Sequence, residues 1–265
     1  MNYYNNHLGV QFGYISTNTG DTAEYHSFRD WQLYPANRPV ISPPKPKTMY
    51  IDVPGSDIQL DFTEALTGDV HFYNREGVFR YVYTGDRAAW ESIYHDIQTT
   101  LHGKRMGVIL DEEPSGYYYG RLTVGEPEYV TEKLNGTRMY INITGNFQPY
   151  RIDLLSTVDD WIWDDFDFNT GFIRDYSEIE VSGSAQSPFS LTIYGSAMPV
   201  SPVFIRTSGG VVNVYYDESD NTKILSLSST DTEYSAPDLI VRNGPKTLTM
   251  TGTGTIQIKF QTGVL

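Results

Sequence analysis

Residues 86–103, DRAAWESIYHDIQTTLHG, carry the clearest helical pattern in the chain. Apolar side chains recur there at offsets of three and four, which places them on one helical face: Trp90, Ile93, Tyr94, Ile97 and Leu101. Asp86 can cap the amino end, and Gly103 stands where a left-handed residue often follows a helix. The sequence therefore predicts one amphipathic helix that packs on a sheet.

Strand patterns dominate the rest of the chain. TMYIDV (48–53) and DIQLDF (57–62) predict two strands joined by a turn at Pro-Gly, and VHFYNREGVFRYVYTG (70–85) predicts a hairpin with NREG as its turn. After Ser177 we find eight short strand candidates and no helix, a spacing typical of a sandwich: 178–182, 189–195, 203–208, 211–217, 222–228, 238–243, 246–252 and 254–260. The prediction is a mainly β protein with two domains, residues 1–150 and 151–265.

Composition excludes several classes of function. The 265 residues include 19 basic and 33 acidic side chains, a formal charge of −14, which disfavours binding to nucleic-acid phosphates. The chain has no cysteine, so it has no disulfide and no thiolate chemistry. The first residues, MNYYNNHLGV, do not resemble a signal peptide, and no apolar run approaches a membrane span. We expect synthesis in a cytoplasm and no membrane insertion.

The segment 35–47, PANRPVISPPKPK, contains five prolines. Proline excludes a helix interior and a central strand, so the sequence predicts an extended, exposed arm or loop. This composition fits either a plain surface loop or a partner-binding arm, and both interpretations stay open at this point.

The acidic-aromatic stretch DDWIWDDFDFNTG (159–171) has three interpretations. A bulge at Asp164-Asp165 would place its aromatic side chains on one face of a strand. Asp165, Asp167 and Asn169 have the opening spacing of an EF-hand calcium loop, but Thr170 and Tyr176 replace the required Gly and Glu. A pair of these aspartates could also serve a glycosidase, if their separation were suitable. No other catalytic motif and no cofactor motif is present.

Several stretches in a fixed order carry a resemblance to a known family. They are YIDVPGSDIQLDFTEALTG (50–68), HFYNREGVFRYVY (71–83), the helix running into Leu101-His-Gly-Lys104, and ILDEEPSGYYYGRLTV (109–124) with its Tyr-Tyr-x-Gly-Arg strand. The stretch DLIVRNGPKTLTMTGTGTIQIKFQTGVL (238–265) completes the order. Together they resemble the distal tail (Dit) proteins of long, non-contractile-tailed phages and prophages. The acidic-aromatic segment, residues 153–175, resembles that family's bridge between domains.

The resemblance implies a scaffold in the virion tail tip, not an enzyme. It implies a tail-tube-like β-sandwich with one packed helix, then a galectin-like or carbohydrate-module-like β-sandwich. It also implies a homo-hexameric ring that joins the tail tube protein to the tail-associated tip protein, holds receptor-binding or other baseplate proteins, and lets DNA pass. The candidate interface residues are Trp31, Tyr34, Arg38, Pro43, Pro44, Lys45, Lys47, Tyr117 and Tyr119. Within that ring, prolines would lower the entropy lost when an arm is ordered on a partner, so we expect residues 31–47 to help bridge neighbouring subunits. Deleting residues 38–47 should then weaken the ring and leave each monomer folded.

Two alternatives stay open at this point. The second half could be a carbohydrate-binding module that acts in adsorption to the host surface, because it is sandwich-like and rich in aromatic residues. The aspartates around Trp161 and Trp163 could belong to a polysaccharide-degrading enzyme.

Overall fold

A computed structural model describes residues 9–15, 22–132, 136–159, 175–216 and 224–265. The chain divides into two compact units, Met1–Arg151 with Leu265, and Ile152–Val264. Each unit has its own cluster of buried apolar side chains. The predicted fold class, mainly β, is confirmed.

The first unit is built on one large antiparallel sheet. Its elements in chain order are β1 (Val10–Ile15), β2 (Thr22–His26), α1 (Ser27–Trp31), β3 (Leu33–Pro35), β4 (Val40–Ile41), β5 (Tyr50–Asp52), β6 (Gln59–Asp61), β7 (Arg75–Tyr83), α2 (Trp90–Leu101), β8 (Arg105–Leu110), β9 (Gly116–Val124), β10 (Glu128–Glu132) and β11 (Gly136–Ser156). The sheet order is β2-β1-β8-β9-β11-β7-β3, with β4 beside β7 and β10 beside β11. Strands β5 and β6 form a separate two-stranded sheet.

The helix predicted from residues 86–103 is confirmed. Asp86 caps a single 3-10 turn, Arg87–Ala89, by accepting a hydrogen bond from the Ala88 amide, and α2 follows directly. Ile97 and Leu101 are fully buried, and the other three predicted apolar residues pack against the same core. Gly103 has a φ of +75°, as expected after a helix end.

The prediction of a single helix misses α1. Its five residues are too few to show a helical period in the sequence. Its amino end is capped by His26, whose Nδ1 accepts hydrogen bonds from the amides of Phe28 (3.2 Å) and Arg29 (3.3 Å). His26 Nε2 faces Asp111 Oδ2 at 3.1 Å, so one imidazole connects α1 to the turn after β8.

The predicted hairpin turn at NREG is wrong. Residues 75–83 form one continuous strand, β7, in register with β11 from Arg75↔Phe147 to Tyr83↔Met139. Gly77 is not a turn residue: a Cβ there would lie 2.5 Å from the Phe147 ring. The glycine makes room for a core side chain within the strand.

The second unit is also antiparallel β. Its strands are β12 (Ile179–Gly183), β13 (Phe189–Tyr194), β14 (Val203–Tyr215), β15 (Ile224–Leu227), β16 (Glu233–Ser235), β17 (Pro245–Lys259) and β18 (Gln261–Val264). The sheet order is β12-β17-β14-β15, with β13 beside β17 and β16 beside β14, while β18 pairs with β11. The alternation predicted in GTIQIKF is confirmed, since Ile256, Ile258 and Phe260 are buried.

Two pairs of predicted strands are single strands in the structure. Residues 203–208 and 211–217 belong largely to β14, and residues 246–252 and 254–260 largely to β17. Both strands run through glycines where their pairing shifts register, between Arg206 and Ser208 and between Gly209 and Val212. The predicted strand 238–243 is reduced to a bridge between Val241 and Val200.

Candidate functional site

The proline-rich segment is an edge of the first sheet and not a free arm. Strand β4 pairs with β7, and Pro46 forms a bridge with Phe72. Between these pairings the Ser42 amide donates to Glu76 O, and the Tyr73 amide donates to Lys45 O, each at 2.8 Å. Prolines suit this position because an edge strand leaves half of its amides without a ladder partner. The predicted extended conformation is confirmed.

A buried arginine fastens this segment to the core. Arg75 Nε donates to Ser42 O at 2.8 Å and Nη1 donates to Pro149 O at 3.3 Å, while the guanidinium lies 5.0 Å from the Tyr118 ring centroid. Tyr118 Oη in turn donates to Glu113 Oε2 at 3.0 Å. Burial lowers the pKa of Arg75 and raises the pKa of Tyr118. These groups hydrogen-bond to one another or to backbone, as buried polar groups do, and so hold the segment against the core.

Trp31 is a core residue. Its side chain is 1% exposed, its ring stacks on Tyr25 at 5.4 Å, and its Nε1 donates to Asp96 Oδ2 at 2.7 Å. Trp31 is therefore not available for contact with a neighbouring chain.

The other interface candidates of the proline-rich segment lie nearer the surface. Tyr34 is half-buried against Phe28, with ring centroids 4.6 Å apart. Arg38 Nε lies 2.7 Å from Glu112 Oε2 in an exposed ion pair. Pro44 is half-buried, and three residues are exposed: Pro43, Lys45 and Lys47.

The tyrosine run in β9 alternates as predicted. Tyr118 points into the core, and Tyr117 and Tyr119 lie half-buried on the opposite face. Tyr119 lines a cleft of 780 Å³ on that outer face. The cleft crosses β8, β9, β11 and β7, and its charged lining residues are Glu76, Arg105 and Arg121.

Two like charges face each other in this cleft. Arg105 and Arg121 are directly paired across β8 and β9, and both are exposed. Directly opposed like charges destabilise a sheet, so the pair is costly in an isolated chain. Arg121 Nη1 donates to Gly103 O, and within the described residues Arg105 has no hydrogen-bond acceptor. The pair is suited to an anionic partner.

The β5–β6 hairpin has one apolar face. Ile51 pairs with Leu60, and the Phe62 amide donates to Met49 O at 2.8 Å, so these four residues share a face. The other face carries Asp52 and Gln59, joined by a 2.6 Å hydrogen bond, together with Tyr50 and Asp61. Residues 48–70 contain five acidic side chains and no basic one. In the described structure the apolar face is 40–54% exposed at those four residues.

The described residues contain no group of three or more His, Asp or Glu side chains that could hold a metal ion. Asp165, Asp167 and Asn169, as well as Asp164, lie outside the described residues, as does nearly all of the acidic-aromatic segment. The calcium and glycosidase interpretations therefore remain predictions. None of the described helices is long and apolar enough to cross a membrane.

Sequence reasoning missed both the cleft and the hairpin's apolar face. The arginine pair depends on the register of two strands, which no local pattern reveals. The two hairpin strands are predicted from the sequence. Their common apolar face was detectable as well, because Met49, Ile51, Ile58, Leu60 and Phe62 alternate with polar residues in the printed sequence.

Comparison with known proteins adds a decisive likeness of fold. The crystal structure of the Dit protein of phage SPP1 superposes with a TM-score of 0.58, covering 97% of this chain and 100% of that one, at 11% identity. The chain has the distal tail protein fold. The phage P2 baseplate in its activated conformation with calcium also matches, at a TM-score of 0.41, 9% identity, and 97% and 98% coverage.

No protein-family model matches the sequence, and no curated protein matches it. The fold is therefore recognised by superposing structures, because the sequence identity to the matching protein is only 11%.

Proposed function

We propose that this chain is a structural protein of a phage tail tip. The observation that carries the proposal is the likeness to SPP1 Dit over the full length of both chains. That protein is described as a paradigm of the hub adsorption apparatus in phages that infect Gram-positive bacteria. A likeness confined to one unit would support a shared module only, whereas this one includes both units in the same order.

In this role six copies form a ring that joins the tail tube protein to the tail-associated tip protein. The unit Met1–Arg151 forms the ring, and the unit Ile152–Val264 holds receptor-binding or other baseplate proteins. DNA passes through the ring without specific binding, in keeping with the formal charge of −14 on each copy. The role requires surfaces and not a reactive site, and the polar cluster around Arg75 is internally hydrogen-bonded.

Mass measurement and imaging of the full chain test this proposal. Six copies of 30.0 kDa give a ring of about 180 kDa, which light scattering distinguishes from a monomer and negative-stain microscopy shows as a six-fold ring. The measurement is made on the chain alone and after mixing with a tail tube protein and a tip protein from the same phage. A chain that stays monomeric in the mixture and does not bind the tube or tip protein would contradict the proposal.

A further inference from the structure

The β5–β6 hairpin needs a covering surface. A two-stranded hairpin is marginally stable in water by itself, and exposed apolar patches of this kind mark interaction sites. Ile58, on the same alternation as Leu60, is 74% exposed, so the apolar face continues toward the hairpin tip. The polar face and the loop after β6 are acidic, with Asp57 and Glu64 both exposed.

The outer cleft of the same unit has apolar residues and positive charges, which complement the apolar face and the acidic residues of the hairpin. On the β7 side Val78 is 53% exposed and paired with the similarly exposed Val40, and Tyr73 also lines the cleft, while Tyr119 lies on β9 two residues from Arg121. The other side holds the opposed Arg105 and Arg121. Glu76 is the acidic residue in the lining, so the cleft keeps a net positive charge in a strongly acidic chain.

A single copy does not join these two surfaces. The hairpin leaves the sheet beside β4 and β7, where the Lys47 amide donates to His71 O at 2.7 Å. The hairpin face and the cleft are exposed at the same time in one chain. Two different and complementary surfaces on identical chains favour a head-to-tail contact, which repeats from copy to copy and can close into a ring.

We propose that the β5–β6 hairpin of one copy docks into the arginine-lined cleft of the next copy. The apolar face covers Val78, Tyr73 and Tyr119, and the acidic residues of the hairpin neutralise Arg105 and Arg121. This docking specifies the two contact surfaces of the proposed ring. Only the number of copies in the assembly depends on the proposed function.

Charge exchange in the full-length chain provides the first test. One variant carries Arg105→Glu with Arg121→Glu, and the other carries Asp57→Lys with Glu64→Lys. Asp57 and Glu64 make no side-chain hydrogen bond in the described structure, so their replacement leaves the hairpin's own bonds in place. The first variant makes the cleft acidic like the hairpin, and the second reduces the net charge of residues 48–70 from −5 to −1, so each alone should lose roughly tenfold to hundredfold in self-association. An equal mixture should regain pairwise association, since the unchanged acidic hairpin of the first variant then meets the unchanged arginine cleft of the second.

Engineered cysteines provide the second test, in a chain that contains none. Leu60→Cys with Val78→Cys places one thiol on the hairpin face and one in the cleft. Under mild oxidation this variant should form covalent ladders of up to six copies. The matched control joins Leu60→Cys with Ile240→Cys, an exposed apolar position of the second unit, and should cross-link at least about tenfold more slowly.

The outcomes separate the docking from the ring. Rescue by mixing, or ladders specific to the variant that joins Leu60→Cys with Val78→Cys, supports the docking even if imaging shows no six-fold ring. A six-fold ring that persists in both charge variants overturns the docking and leaves the proposed function intact. Equal cross-linking in the test and control variants, at the highest soluble concentration, also overturns the docking.

Discussion

Trp31 contributes to the stability of the fold through its hydrogen bond to Asp96. Its indole N–H is buried and donates to Asp96 Oδ2 at 2.7 Å, which ties α1 to α2. Asp96→Ala leaves this donor without an acceptor and should lower the free energy of unfolding by about 1–3 kcal/mol. Asp96→Asn keeps an acceptor and should cost less. Urea titration followed by fluorescence measures both, and equal losses in the two variants would contradict the assigned hydrogen bond.

The burial of Trp31 could not be predicted from the sequence. Trp31 precedes the proline-rich segment and lies in a helix of five residues, so no period shows which way it points. The amphipathic face of α2, in contrast, extends over twelve residues, and its buried apolar residues, Ile97 and Leu101, are predicted correctly. A longer repeating pattern of apolar residues therefore allows the buried face of a helix to be predicted from the sequence, whereas a short one does not.

Tyr234 offers a prediction on pH. The Ser228 hydroxyl lies 3.2 Å from Tyr234 Oη and the Ser229 amide donates to it at 2.8 Å, and these bonds lower the pKa of Tyr234 to about 8. The folded pKa is thus below the unfolded value of about 10. The resulting stabilisation is fully present above the unfolded pKa and is lost as the pH falls through the folded pKa. Tyrosinate absorbance at 295 nm should show one early transition that Tyr234→Phe removes.

Among the elements, the centre of the first sheet is shaped by glycines on three adjacent strands. A Cβ at Gly145 would lie 2.3 Å from the Phe147 ring, and a Cβ at Gly77 or Gly120 would also meet Phe147 below 3 Å. Gly145→Ala should therefore destabilise the chain by about 1–3 kcal/mol through overpacking. Gly13→Ala in β1 is the matched control, because its Cβ would meet only Gly107 O at 3.9 Å. A thermal melt that shifts equally in both variants would contradict this account.

The same glycines explain the main errors of prediction at the level of strands. A glycine inside a strand pattern indicates either a turn or a close approach, and the two have the same sequence signature. Gly77 is predicted in a turn and lies within β7. Gly252 is predicted to end a strand, but it lies inside β17 with a φ of +112°, where a Cβ would meet Val211 O at 2.1 Å. The sequence therefore divides β14 and β17 into two predicted strands each, although the positions of the strand residues are largely correct.

The proline-rich edge changes one expectation about assembly. Deleting residues 38–47 removes β4 and the Ser42 carbonyl that accepts from buried Arg75. The deletion should destabilise the first unit itself by about 2–4 kcal/mol, since it leaves Nε of the buried Arg75 guanidinium without its acceptor. Replacing Lys45 and Lys47 with serine keeps that backbone and should leave the melting temperature nearly unchanged. Calorimetry of the two variants distinguishes a structural edge from a detachable arm.

At the scale of the whole molecule, the second unit should begin at Ile152. Thr157 Oγ1 donates to Ile258 O at 2.7 Å and accepts from the Phe260 amide at 3.0 Å, and Gln261 Nε2 donates to Asp153 O at 3.4 Å. A fragment of residues 152–264 should unfold cooperatively. A fragment of residues 175–264 lacks these bonds and the partner of β18, and should be less stable by several kcal/mol. Equal stability of the two fragments would contradict the assignment of residues 152–157 to this unit.

The order and spacing of short stretches were sufficient to predict the distal tail fold, whereas matching of the whole sequence was not. The stretches from Tyr50 to Val124 contain the hairpin and two of the strands that line the cleft, β7 and β9. What sequence could not show was their arrangement, because the cleft combines residues from four strands that are distant along the chain. Contacts of long sequence separation are set by tertiary packing and leave little local trace.

The short, proline-containing edge beside β7 affects whether the chain forms fibrils in concentrated samples. Strand β4 has only two residues, and the prolines that surround it have no amide hydrogen to donate to an incoming strand. This side of the broad sheet is thereby blocked against the strand-by-strand stacking that seeds amyloid fibrils. Purified chain stored at high concentration should accordingly resist fibril growth from this edge, even if its hairpin docks on another copy as proposed.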